Sequence, residues 1–161
     1  MKNVCVVTLL MFTSTLLSAA ELYTEFPNAI NKSEKYVFYS HGYIVEGENE
    51  KPVHPRWGVY DFPLIKKHLS DDFYNLIAYH RAARSEPFHS AKRLANDVNR
   101  LIEAGVEPAN ITLIGFSRGG ALSILASNEL KNNYIRVIVL AGCAGLIKEH
   151  SSVQIYGNVR S

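Results

Sequence analysis

Cysteine is almost missing from this chain. Of the two in 161 residues, Cys5 lies in the N-terminal apolar stretch and Cys143 stands alone in the remainder. Once the N-terminus is removed no internal disulfide can form, and Cys143 reads as a small buried apolar residue at a strand end. The histidines, His54, His68, His80 and His89 among them, show no metal-ligand spacing, so neither a metal nor any other cofactor is expected. Phosphate-cradling loops of the G-x-G-x-x-G or G-K-[ST] type are missing as well. There is no excess of one charge: 17 basic residues against 15 acidic leave no basic field for a nucleic acid. Repeats and low-complexity segments do not occur. What is present is an ordinary globular composition, 47% hydrophobic and 20% charged, enough for one domain with a real core.

The first residues read as an export signal. Lys2 supplies a minimal charged region, Val4 to Leu17 carries no charge, and Ser18-Ala19-Ala20 is a small-x-small cleavage site. The apolar stretch falls short of the ~20 residues a bilayer-spanning helix needs. Cleavage after Ala20 is therefore expected, leaving residues 21–161 as one domain with no stable membrane anchor, in the periplasm or outside the cell.

Along the rest of the chain, short β-prone runs alternate with helical patterns. Tyr36 to Tyr39, Phe73 to Tyr79, Ile111 to Ile114 and Tyr134 to Leu140 are expected strands, with one more starting at Val153 or Val159. Asp61 caps a short helix carrying Pro63, Leu64, Ile65 and Leu69. Ala91, Leu94, Ala95, Val98, Leu101 and Ile102 recur at helical spacing behind Ser90 as N-cap, with Gly105 just past the end. A third helix, from Ser117 to about Leu130, is apolar around most of its surface and should be buried. Such a progression predicts an α/β fold, a three-layer α/β/α sandwich on a mainly parallel sheet, with function at the carboxyl ends of the strands. Ser40-His41-Gly42-Tyr43, His80-Arg81 and Ser117 all fall at such ends.

The most specific signal is Gly115-Phe116-Ser117-Arg118-Gly119, a G-x-S-x-G pentapeptide delivered by the strand Ile111 to Ile114 into a helix. A serine is a weak nucleophile at neutral pH. It must stand on a sharp strand-to-helix turn where a base can reach its oxygen, and flanking glycines leave room for that turn.

On this pentapeptide and on Ser40-His41-Gly42-Tyr43, the chain resembles the α/β-hydrolase superfamily over roughly Tyr36 to Tyr156. The resemblance implies Ser117 as nucleophile and an oxyanion hole from the backbone N–H groups of Arg118 and Tyr43. It implies the strand order Phe73, Tyr36, Ile111, Tyr134 and then a Val153 strand, the Phe73 strand outermost. His41 and Gly42 are candidate substrate contacts, with His41 a loop-shaping side chain more than a base. Arg81 and Arg118 read as solvated charge at the cleft rim, with contacts to a substrate carboxylate or phosphate as the alternative. The superfamily's acid follows a later strand and its histidine comes near the end. After Ser117 this chain offers only Glu129, Glu149 and His150. Glu129 would sit about 18 Å away along the helix at 1.5 Å per residue. Measured against that pattern the chain stops before the acid and histidine, which predicts weak or no activity and a strand edge left open beside Tyr134 to Leu140.

Two functions stand at this point. One is a serine hydrolase acting on a small-molecule ester or other acyl bond. The other is a non-catalytic envelope protein that binds a ligand or partner through the same cleft.

Overall fold

The computed structural model describes residues 20–142, 145–148, 150 and 152–161. The expected roles of the leader up to Ala19, of Cys143 and of Glu149 lie outside the described residues.

A six-stranded sheet organises the chain. Its strands are β1 (Leu22–Tyr23), β2 (Tyr36–Ser40), β5 (Asn75–Ile77), β6 (Ile111–Phe116), β7 (Arg136–Leu140) and β8 (Asn158–Arg160), in the order β1-β5-β2-β6-β7-β8 with every pairing parallel. A separate antiparallel hairpin pairs β3 (Val53–His54) with β4 (Gly58–Val59). The helices are α1 (Phe62–Leu69), α2 (Pro87–Glu103), α3 (Arg118–Leu130) and the four-residue α4 (Gly145–Lys148).

Alternation along the strands builds two cores. Tyr36 and Phe38 of β2, with Ile77, Ile111 and Leu113, pack under α2 and α3 through Leu94, Val98, Leu101 and Leu125. Val37 and Tyr39 point the other way and join Leu76, Ala78 and Phe62, with Ile65 and Leu69 of α1. Successive side chains of a strand point to opposite faces, so burial of both sets requires helices on both sides of the sheet. The result is the expected three-layer α/β/α arrangement. Among the described residues, no helix is long and apolar enough to cross a membrane.

Local chemistry sets the helix ends, once at a place other than expected. The Asp61 carboxylate accepts from Leu64 N at 2.9 Å, with Pro63 in the first turn. Helix α2 begins at Pro87, ahead of Ser90: the Glu86 carboxylate accepts from Phe88 N and His89 N, and a proline at the first helical position loses no hydrogen bond. These two N–H donors hold the Glu86 carboxyl below the usual carboxylate range.

Other boundaries also move. The strand expected from Phe73 starts only at Asn75, because Asp71 turns the chain by accepting from Phe73 N, and the Phe73 ring is 80% exposed. Tyr134 is likewise exposed and precedes β7, whereas the last strand runs through Val159 and leaves Val153 outside it. The β5 strand is not outermost. Leu22 and Tyr23 pair with Leu76 and Ile77, and the otherwise expected order holds. Nor is β7 left as an open edge, since Asn158 to Arg160 pair with Arg136 to Ile138.

Candidate active site

Strand β6 ends at Phe116 and helix α3 begins at Arg118, so the reversal between them is a single residue. Ser117 sits at φ 54°, ψ −117°, a left-handed backbone that costs a non-glycine residue on the order of 1–3 kcal/mol. Its surroundings hold it there. Ser117 N donates to Leu140 O at 2.8 Å, and Ser117 O accepts from Gly120 N at 2.9 Å. The two motif glycines are required by space: a Cβ on Gly115 would stand 2.1 Å from Gly119 O, and one on Gly119 would stand 1.8 Å from Ser40 O. Both obstacles are backbone and cannot swing away, which is the physical content of the pentapeptide.

The loop after β2 comes up against this turn. A Cβ on Gly42 would lie 3.5 Å from Ser117 Cβ and 3.3 Å from the Phe116 ring. Tyr43 then opens a 3-10 turn, Tyr43–Val45, while Arg118 opens α3. The first N–H groups of a helical segment have no acceptor within it. Gly42, the residue before Tyr43, thus packs on the turn at Ser117, and Arg118 follows Ser117 directly.

His41 lies underneath. Its ring is fully buried, Nε2 accepts from Arg81 N at 3.0 Å, and Nδ1 lies 2.8 Å from Gly42 O. A backbone N–H can only donate, so Nε2 carries no proton and Nδ1–H donates to Gly42 O. Burial, assisted by the Arg81 charge, pushes the imidazole down to about 3. A ring with its one free lone pair occupied, titrating far below neutrality, cannot collect a proton from Ser117 at pH 7. It shapes the loop on which Gly42 and Tyr43 sit, and both of its nitrogens face protein backbone.

Arg81 and Arg118 are not rim charges. Both reach inward to Glu46, whose carboxylate is only 2% exposed: Arg81 Nε lies 3.4 Å and Arg118 Nε 3.3 Å from Oε1. Arg81 also donates to His41 O, and Arg118 donates to Ser85 O at 2.7 Å with its guanidinium 4.8 Å above the Tyr43 ring. Burial lowers the Arg81 pKa, with Glu46 acting in the opposite direction. Glu46 was not singled out in the sequence. Its partners lie 35 and more positions away, and no local pattern announces a pairing of that range.

A cavity of about 390 Å³ opens beside β2 and the start of α2, lined by Ser40, Tyr79, Arg81, Ser85, His89 and Arg93 among others. On the other side Tyr60, whose hydroxyl is 2.6 Å from that of Tyr39, packs on Phe116 with ring centroids 5.6 Å apart. Glu129 stands near the far end of α3, and His150 packs edge-on against Phe88 at 4.7 Å. No cluster of His, Cys, Asp and Glu able to hold a metal occurs among the described residues.

The mostly parallel α/β sheet agrees with a comparison at the sequence level. The family model described as phospholipase/carboxylesterase covers residues 28–156. The chain belongs to that family. It is therefore a member of the α/β-hydrolase superfamily, and the family suggests hydrolytic chemistry of the phospholipase or carboxylesterase type. No curated protein matches the chain. The matched span contains every site element described above, from the β2 loop through Glu46 and Arg81 to Ser117.

Proposed function

We propose that this protein is a serine hydrolase that cleaves an ester or other acyl bond of a small molecule, with Ser117 as nucleophile. The single observation that carries the reading is the strained reversal at Ser117 with Gly42 packed against it. Backbone strain of that kind persists only where the surroundings enforce it, and it presents the Oγ at the carboxyl edge of the sheet.

In this reaction Ser117 Oγ attacks the carbonyl carbon and its proton passes to a general base. The carbonyl oxygen becomes an oxyanion between the N–H of Tyr43 and the N–H of Arg118. Each such donor is worth ~3–4 kcal/mol of transition-state stabilisation. Collapse of the tetrahedral intermediate, with the base handing its proton to the leaving oxygen, expels the alcohol and leaves an acyl-serine; water, giving its proton to the same base, then attacks the acyl carbon, and the acid is released as the proton returns to Ser117 Oγ. His41 is not the base, for the reasons given by its hydrogen bonds. The inward turn of Arg81 and Arg118 supports an uncharged acyl group at the reacting centre over a carboxylate held by a free cation pair.

Export is part of the proposal. Cleavage after Ala20 would leave Glu21 as the first residue. Glu21 N donates to Asn75 Oδ1 at 2.9 Å, and β1 begins one residue later, so the cut spares the sheet. The mature protein would act in the periplasm or outside the cell, and mass spectrometry of exported material should find Glu21 at its N-terminus.

The decisive experiment is labelling with a fluorophosphonate probe. The wild-type protein should be labelled at Ser117 and Ser117→Ala should not. A His150→Gln variant, run in parallel, asks whether the one histidine downstream of Ser117 serves as base. Equal labelling of wild type and Ser117→Ala would overturn the assignment. No labelling at all would favour the non-catalytic reading, a ligand-binding protein using the same cleft.

A further inference from the structure

Glu46 lies outside both motifs, yet its carboxylate is the point at which the elements flanking Ser117 meet. It follows directly on the 3-10 turn that Tyr43 opens, and Glu46 N donates to Tyr43 O at 3.0 Å. Oε1 faces two guanidinium groups, while Oε2 is buried with no hydrogen-bond partner among the described residues. One of those guanidiniums belongs to Arg118, the residue that follows Ser117 and supplies the second donor of the proposed oxyanion site. Its side chain crosses the Tyr43 ring before ending on Ser85 O. The other belongs to Arg81, which is also bound through its backbone to the same loop: Arg81 O accepts from Gly47 N at 3.0 Å and Arg81 N donates to His41 Nε2.

We propose that Glu46 is a positioning residue for the oxyanion site, holding the Tyr43 N–H and the Arg118 N–H at one fixed separation through the shared Arg118 and Arg81 contacts. A preorganised donor pair is effective because it needs no rearrangement as charge develops on the substrate oxygen, so slackening of either donor acts on the transition state more than on the ground state. The proposal rests on the serine-hydrolase reading for its catalytic meaning, whereas the clamp itself is a property of the fold. A buried carboxylate with one unpartnered oxygen is a costly arrangement for stability alone, since an ion pair of this kind is often replaceable by apolar groups without loss. That points to positioning as its use.

The test compares wild type, Glu46→Asp, Glu46→Gln and the double variant Glu46→Gln with Arg118→Met. Three quantities are read: the thermal midpoint, kcat and KM on a short-chain nitrophenyl ester, and hydrogen exchange of peptides covering residues 41–47 and 117–120. Glu46→Gln leaves two partly buried arginines without a counter-charge and should lower the midpoint, and it fails to fold at worst. The double variant restores the wild-type net charge of the cluster, with Arg81 alone still lacking its partner, so its midpoint should recover in part while kcat stays at least tenfold down, KM changes less than threefold, and exchange at 41–47 remains raised. Glu46→Asp keeps the charge but draws it back by one methylene, and should fold with an intermediate kcat. Recovery of kcat together with stability in the double variant, or a wild-type kcat in Glu46→Asp, would overturn the proposal and leave Glu46 a charge neutraliser only. Hydrogen exchange separates the two readings. If wild type proves inactive and unlabelled at Ser117, raised exchange in the variants keeps the clamp and sinks the catalytic assignment, and unchanged exchange sinks the clamp.

Discussion

The two sides of the nucleophile are built by different physics. On one side, the β2 loop and the segment around Arg81 are tied together by groups removed from water. His41, Val45 and Phe62 are fully buried, Glu46 bridges two arginines, and His80 Nε2 meets Val45 O at 2.7 Å. On the other side, beyond β7, the chain is held at the surface. All three residues of β8 are exposed, and the approach to it is fastened by Gln154 N to Asn128 Oδ1 at 3.0 Å, Tyr156 N to Ser127 Oγ at 3.3 Å and Asn158 N to Ile135 O at 2.9 Å. Bonds of this second kind are exchanged readily for bonds to water, so their net worth is small. Stability is therefore unevenly distributed, and the candidate oxyanion donors belong to the rigid side.

The largest expected effect lies at the meeting of the rigid side with the nucleophile turn. Gly119→Ala would set a Cβ 1.8 Å from Ser40 O, with His41 O only 2.7 Å away. Neither carbonyl can retreat without breaking the β2–β6 register, in which Ser40 pairs with Gly115. The substitution should cost more than about 4 kcal/mol, in the range reserved for overpacking against backbone. Soluble yield and urea denaturation check it. A variant with wild-type stability would show that the β2 loop is far softer than its burial implies.

The same site shows what a sequence can and cannot disclose. The Ser117 reversal was legible because its glycines lie within two residues of it, and the β2 loop because its residues follow a β-prone run. Three-layer architecture followed from the alternation of strands and helices. Glu46 was invisible for the opposite reason: its meaning comes from partners at Arg81 and Arg118, joined only by the fold. The first strand escaped notice because two residues carry no period, and Leu22–Tyr23 becomes a strand only through pairing with β5. The start of α2 departs from the expected Ser90 cap because a glutamate can cap through its longer side chain, which competes with the more familiar serine four residues on.

A mid-sized effect should come from pH, and it too belongs to the rigid side. In the unfolded chain the His41 ring takes a proton near 6.5, and in the fold only near 3. Between those values the unfolded state binds more protons, so acidification favours unfolding. The stabilisation is present in full above about 6.5 and is lost as the pH falls towards 3, by up to ~1.4 kcal/mol per pH unit. Denaturant midpoints at pH 7, 6 and 5 should fall in order, above the range where carboxylates such as Asp61 and Glu86 regain protons. In His41→Gln the whole curve should start lower and lose much of that slope. An unchanged slope would mean that the ring is protonated in the fold, in conflict with its acceptor role toward Arg81 N.

The smallest effect is the counterpart of the first, the same chemical change made on the surface-held side. Gly145 opens α4, and a Cβ there meets nothing within 4 Å. Alanine in a helix is favoured over glycine by ~1 kcal/mol, chiefly because the unfolded chain has less freedom to lose. A helix of four residues realises only part of that preference, for its ends fray and its nucleus is costly. Gly145→Ala should therefore change stability by less than about 0.5 kcal/mol, in the stabilising direction, with no effect on fluorophosphonate labelling of Ser117. A loss of more than about 1 kcal/mol would show that the segment beyond β7 is packed as tightly as the oxyanion side, and the contrast between the two sides would have to be abandoned.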